Sequence, residues 1–278
     1  MPGSPPVPTL RFNALVLAAD RTLDDAVARF ARVPCKAAVM VGGVPMLLRV
    51  LDALAPVPGL DQIVVVGPSA VALADSPKLA AGLHRDRVTR QEPKSSPSRS
   101  AAAGMQALGM EAPILITTAD HALLGPGLVG EFLAAGRKTG ADLAVGLIPY
   151  ALVKAAFPGV RRTVLRFQDG AYCTCNLFSV LSPAGSRVID FWVKVEQQRK
   201  HPARLVAGIL GVGAVMRYVL GMLTLDEAVS RASQRLGARI APVILNQPEA
   251  SVDVDTPDDL RRVEAILARR ELKVKSGK

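Results

Sequence analysis

Aromatic residues make up only 4% of this 278-residue chain, with a single tryptophan, so there is little material for stacking the bases of a single-stranded nucleic acid. Cysteine is scarce too. Cys35, Cys173 and Cys175 form no even framework, which excludes a disulfide scaffold and fits a reducing, cytoplasmic compartment. The Cys173-Thr174-Cys175 pair has no second Cys or His pair at ligand spacing, since His84, His121 and His201 are scattered, and the thiols read as structural. No G-x-G-x-x-G follows an apolar run, which argues against a dinucleotide-dependent oxidoreductase. Residues 1–12 are Pro-rich without the basic-then-apolar layout of a signal peptide and read as a flexible leader. Acidic residues are outnumbered 24 to 34, a formal charge of +10. That balance favours anionic partners, small phosphates before nucleic acid. What is plentiful is apolar residues, at 50% with a mean hydropathy of +0.28, enough to exclude disorder and to build a sizeable core.

Four apolar runs stop abruptly in polar loops, at residues 14–19, 63–66, 114–119 and 143–148. Runs of this kind read as parallel strands buried on both faces, and the helical spacing between them makes βαβ units. Ligands of such sheets bind at the carboxyl ends of the strands. The first run delivers Leu17-Ala18-Ala19 to the polar turn Asp20-Arg21-Thr22, and Lys36 is the only lysine before residue 78. Small residues admit a ligand close to the backbone, and a lysine adds a point charge to loop N–H groups, which suits a phosphate; a solvated surface lysine is the alternative. The third run ends on Asp120, placed either to bridge Mg²⁺ to nucleotide oxygens or to cap a helix expected over 127–135. Residues 85–99 read as a loop, and Arg99-Ser100 opens a helix over 101–108, as an anion site or as a plain capped start. Residues 163–167 and 172–178 flank the Asp169-Gly170 turn as a hairpin with Asn176 on its second arm. Near the end, Val252-Asp253-Val254-Asp255 reads as a strand with both acids on one face. Thr256-Pro257 then starts a helix with Asp258 and Asp259 in its first turn.

The order Leu17-Ala18-Ala19, polar loop, Pro34-Cys35-Lys36, Gly43-Val44-Pro45-Met46 resembles the opening signature of nucleotidyltransferases with a GT-A-like fold, most closely the MobA-like NTP transferases. Val252 to Leu260 is similar to the segment that ends many of them. The resemblance covers about residues 13–148 and 240–267. It implies a Rossmann-like three-layer α/β/α (GT-A-like) fold with a mostly parallel central sheet. A nucleotidyltransferase domain would span residues 13–268, with 150–235 as an inserted acceptor-side hairpin and helical region and 269–278 as a basic tail. It implies that Leu17, Ala18, Ala19, Asp20 and Arg21 wrap the triphosphate, that Lys36 neutralises it, and that Asp120 and Asp255 hold Mg²⁺. Arg99 and Ser100 are similar to a segment that lies against base and ribose in cytidylyltransferases, and Asn176 would face the acceptor. Where the family has glycine after Leu-Ala-Ala, Asp20 stands here, and no glycine follows until Gly42. Arg21, Arg29 and Arg32 are the candidates to replace the missing amides.

The expected activity is Mg²⁺-dependent transfer of NMP from an NTP, CTP ahead of GTP, to a phosphorylated small-molecule acceptor, releasing pyrophosphate, with Lys36, Arg21 and Asp120 as catalytic residues. The alternatives are a GT-A glycosyltransferase using a nucleotide-sugar, with Asp253-Val254-Asp255 as its Asp-x-Asp, and a non-catalytic nucleotide-binding protein. Charge alone predicts that Asp120 and Asp255 repel, so that at least one titrates above the ordinary value near 4. In the apolar segment 205–225, Leu205, Ile209, Val212, Met216, Val219 and Leu223 form one helical stripe. It reads as a buried helix or homodimer contact, or, with Arg199, Lys200 and Arg204, as a peripheral membrane contact through 199–225.

Overall fold

The computed structural model describes residues 11–20, 24–160, 162–197, 208 and 211–276. Ten strands are formed among them: β1 (Phe12–Leu17), β2 (Met40–Val41), β3 (Val44–Pro45), β4 (Leu60–Val66), β5 (Val88–Gln91), β6 (Ile114–Thr118), β7 (Leu143–Pro149), β8 (Leu165–Phe167), β9 (Gly170–Val180) and β10 (Ile240–Ile244). Eight of them make one sheet, in the order β10-β7-β9-β6-β1-β4-β5 with β8 paired to β9, while β2 and β3 form a separate ribbon. Pairings along β5-β4-β1-β6 and between β10 and β7 are parallel. Only β9 runs against its neighbours β6, β7 and β8.

Apolar runs without alternation are buried on both faces because helices cover both. Ala14, Val16, Ile63, Val65 and Leu115 face a core completed by the helices Met46–Leu54 and Pro126–Lys138. Leu15, Val64, Val66, Ile114 and Ile116 face the helices Pro97–Leu108 and Ser186–Gln197. The result is the expected three-layer α/β/α arrangement with a mostly parallel sheet.

Several expectations need correction. The supposed loop 85–99 contains β5, whose polar Thr89, Arg90 and Gln91 sit at the sheet edge and carry no apolar signal. The second arm of the hairpin runs on to Val180 and threads between β6 and β7, so the region after residue 150 supplies an interior strand. Residues 252–255 belong to no sheet, so no ladder fixes Asp253 and Asp255 on one face. In the apolar segment the described helix is Val212–Val219, entered through Gly211 at φ 82°; residues 205–207, 209 and 210 lie outside the described residues. Val212, Met216 and Val219 face solvent, at 71, 61 and 78% exposure, whereas Leu223 is fully buried. The stripe is therefore divided between solvent and core.

Candidate active site

The central strands converge at their carboxyl ends. β1 ends at Leu17 and passes into Ala18 and Ala19, which lie against Gly67 at the end of β4. A Cβ on Gly67 would come within 2.9 Å of their backbone, and its φ is +88°, so only glycine permits this approach. The strand beside β1 on its other side, β6, leads to Asp120. The N–H of Val254 donates to the Asp120 carbonyl at 3.1 Å, which brings the distant segment carrying Asp255 alongside. Thr256 and Asp259 then form a reciprocal capping box, Asp259 N–H to Thr256 Oγ1 at 3.2 Å and Thr256 N–H to Asp259 Oδ2 at 3.1 Å, fixing the start of the helix Pro257–Lys275. The first-turn role expected of Asp259 is thereby explained, and Arg262 and Arg162 neutralise it at 2.7 and 3.6 Å.

Lys36 begins a short 3₁₀ turn, Lys36–Ala38. Its Nζ donates to Asp120 Oδ2 at 2.6 Å and to Asp255 Oδ1 at 2.7 Å. Only 15% of the lysine side chain and 17% of the Asp120 side chain reach solvent, against 59% for Asp255, so the ion triad is sunk on one side and open on the other. Asp120 also accepts from Thr118 Oγ1 at 2.5 Å. Its alternative reading as a helix cap does not hold, because the helix Pro126–Lys138 is preceded by Gly125 in the capping position.

The electrostatics follow from this geometry. Burial would lower the Lys36 pKa, but the charges of Asp120 and Asp255 more than reverse it and hold the ammonium well above its usual range. Burial would raise Asp120, yet Lys36 and the Thr118 hydroxyl hold it below the usual carboxylate range. Asp120 is therefore not the acid raised by mutual repulsion, because the ammonium stands between it and Asp255. Asp253, by contrast, is raised, pushed up by burial and by the Asp120 charge. His121, fully buried beside the site, is lowered to about 4 by desolvation and is neutral at pH 7.

Asp20 occupies the position where family members have glycine. Its carboxylate accepts from the N–H of Lys36 at 3.1 and 3.2 Å, and burial lifts its pKa to about 6. Asp25 caps the helix Ala26–Ala31 by accepting from Val27 and Ala28 N–H. Leu17, Ala18, Ala19, Asp20, Lys36, Asp120 and Asp255 line one small cleft of about 80 Å³, with Asp25 at its rim. Asp25 and Thr118 had not been singled out from the sequence; a hydroxyl two residues before the strand-end acid was the one available signal. Arg21 lies outside the described residues. Arg29 pairs with Asp24, and neither it nor Arg32 lines the cleft.

A second cavity, of about 420 Å³, adjoins the first along Leu17, Ala19 and Asp120 and reaches Asn176. Asn176 sits where the β7–β9 register slips between Val145 and Leu147, in a left-handed conformation at φ 48°. Such a bulge re-aims a side chain. Arg99 and Ser100 are not brought to either space. Arg99 lines a separate groove with Lys94 and Gln106, and Ser100 is buried with its hydroxyl accepting from Lys94 N–H.

The donor set suits a hard divalent cation. Two carboxylates far apart in the chain already converge on one cationic centre, the Lys36 ammonium. Among the described residues there is no group of three or more candidate metal-ligating side chains, and Mg²⁺ characteristically takes only one or two carboxylates and completes its shell with water and substrate phosphate.

A family model described as MobA-like NTP transferase domain matches residues 14–158, just over half of the chain. Among solved structures, a hypothetical transferase from Thermus thermophilus is similar at 26% identity and a TM-score of 0.73, over 90% of this chain and 100% of that one. A 4-diphosphocytidyl-2C-methyl-D-erythritol synthase from Anaerococcus prevotii is similar at 13% identity and a TM-score of 0.57, over 93 and 96%. A CMP:2-keto-3-deoxy-manno-octonic acid synthetase complexed with CTP is similar at 13% identity and a TM-score of 0.57, over 94 and 99%. The last two likenesses are of fold. No curated protein matches the chain.

Proposed function

Because the chain belongs to the family of MobA-like NTP transferase domains and is thus a nucleotidyltransferase, we propose that it transfers NMP from an NTP, CTP ahead of GTP, to a phosphorylated small-molecule acceptor. The observation that carries the reading is the convergence of Lys36, Asp120 and Asp255, within 2.7 Å, at the carboxyl ends of β1 and β6. Lys36 and the loop that carries Arg21 hold the β- and γ-phosphates. Asp120 and Asp255 hold Mg²⁺, which when bound supplies positive charge to the phosphate oxygens. An oxygen of the acceptor phosphate attacks the α-phosphorus in line, the new P–O bond forms, and the bond to pyrophosphate breaks. Little covalent chemistry is asked of the protein, so alignment and charge neutralisation carry the rate.

CTP is put ahead by the likeness of fold to a structure complexed with CTP, and Arg99 and Ser100, which lie away from the cleft, no longer bear on the choice. The glycosyltransferase alternative is weakened because Asp253 turns inward and only Asp255 of its Asp-x-Asp reaches the cleft. A thermal-shift screen of the four NTPs with Mg²⁺ tests the proposal, since a ligand at 100 times its Kd adds about 2.7 kcal/mol. CTP should stabilise most. A larger shift with GTP overturns the base choice, and no shift with any NTP overturns the reading.

A further inference from the structure

The larger cavity is unlike a seat for a sugar. Across its floor, Ile116 pairs with Phe178 and Phe178 with Val145, so three apolar side chains stand in one row of the sheet. One row lower, Ile114, Val180 and Leu143 are sealed at 0, 0 and 2% exposure. In the upper row Ile116 is buried too, while Phe178 and Val145 are left partly open beneath the helix Ser186–Gln197, which contributes Val188 and Trp192 as half-buried walls. Among the described residues, Asp120 is the only charged one in the lining. Its neighbour Thr118 is already committed to it by a hydrogen bond. Thr117, whose buried hydroxyl has no hydrogen-bond partner, and Asn176, presented by the bulge of β9, are the remaining polar side chains of the lining.

A polyol placed here would lose water from several hydroxyls and find few partners, which costs more than an apolar body of the same size. Pockets of this volume with apolar walls and one or two placed polar groups select apolar ligands oriented by a polar end. We propose that the acceptor is the phosphate monoester of an apolar alcohol. Its hydrocarbon body lies between Phe178 and Trp192, and its phosphate, the polar end that Asn176 orients, meets the cleft where the Lys36 ammonium holds Asp120. This rests on the nucleotidyltransferase reading and names the substrate class of that same site.

Trp192 is the only tryptophan of the chain, so its fluorescence reports on this cavity alone. Isopentyl phosphate and glycerol phosphate are titrated into the protein, with and without a non-hydrolysable CTP analogue and Mg²⁺. Isopentyl phosphate should shift the Trp192 emission to the blue and half-saturate at least about tenfold below glycerol phosphate, with the analogue present or absent. Filling the cavity by Val145→Phe, or by Val188→Phe should the first variant not fold, should remove that preference. Equal responses to the two phosphates overturn the proposal. So does displacement of isopentyl phosphate by the CTP analogue, which makes the cavity the seat of the base. Failure of the nucleotidyltransferase reading registers separately, as no binding of any NTP while isopentyl phosphate still shifts Trp192.

Discussion

At the scale of single residues, Lys36 binds the two carboxylates that, on the proposed function, would hold the divalent cation. On that proposal metal and ammonium would compete for them. Lys36→Ala should bind Mn²⁺ at least about tenfold more tightly than the native protein when no nucleotide is present, a difference equivalent to about 1.4 kcal/mol, while losing turnover. Calorimetry with Mn²⁺ reads the first and pyrophosphate release the second; weaker Mn²⁺ binding in the variant would mean that the acids need the lysine to hold their places. Asp20 offers a pH test. Its folded pKa of about 6 lies above the ordinary value near 4, so between these values the folded state keeps a proton that the unfolded state has released. Stability from this group is present below about pH 4 and is lost as pH rises to about 6. Asp20→Asn removes that loss while keeping an oxygen for the Lys36 N–H. The variant should gain on the native protein between pH 4 and 6 and stay ahead by about 1 kcal/mol at pH 8, a figure reduced for solvent screening of a part-exposed group. A pH-independent difference in urea midpoint would contradict this.

At the scale of elements, β9 decides the shape of the acceptor side. Its bulge holds Asn176 in the left-handed region, which costs most side chains about 1–2 kcal/mol and asparagine less. Asn176→Ala should lower stability by roughly 1 kcal/mol, whereas Asn176→Gly should leave it unchanged or higher, and both should weaken acceptor binding; thermal melts and acceptor titrations check this. Equal stability of the two variants would mean that the bulge does not impose the conformation. The bulge also marks the limit of what the sequence discloses. β1, β4, β6 and β7 were legible because strands buried on both faces leave unbroken apolar runs. β9 alternates Cys173, Cys175 and Leu177 toward one core with partly exposed residues between them, and its insertion between β6 and β7 depends on pairings far away in the chain. For the same reason Asp253 read as a partner of Asp255 in a strand, although the Val254 N–H bond to Asp120 and the capping box of Thr256 set its direction. Lys36, Asp120 and Asp255 were legible as strand-end or motif residues and the convergence of the two acids was expected, but the ammonium bound between them, which holds Asp120 below the usual range, was not.

At the scale of the whole molecule, the formal charge of +10 favours anionic substrates, and association with them should weaken as salt screens it. Among the described residues no helix is long and apolar enough to cross a membrane. Val212, Met216, Val219, Leu220 and Met222 nevertheless stand exposed together, after a stretch of sequence carrying Arg199, Lys200 and Arg204. Vesicle sedimentation separates the peripheral-membrane and homodimer readings of this segment: on the membrane reading the protein should co-sediment with anionic vesicles at low salt, and Met216→Asp should release it. A native protein that stays in the supernatant, or dimers dissociated by the same variant, would assign the face to a second copy. The central claim is that nucleotidyl transfer occurs where Lys36 meets Asp120 and Asp255. It is tested most directly by measuring pyrophosphate release from CTP with isopentyl phosphate as acceptor, in Mg²⁺ and in EDTA, for the native protein, Lys36→Ala and Asp120→Asn. Release should require Mg²⁺ and fall by about 10²-fold or more in each variant, the scale of losing one preorganised electrostatic contact; release that persists in EDTA, or that is unchanged in Lys36→Ala, would contradict the account.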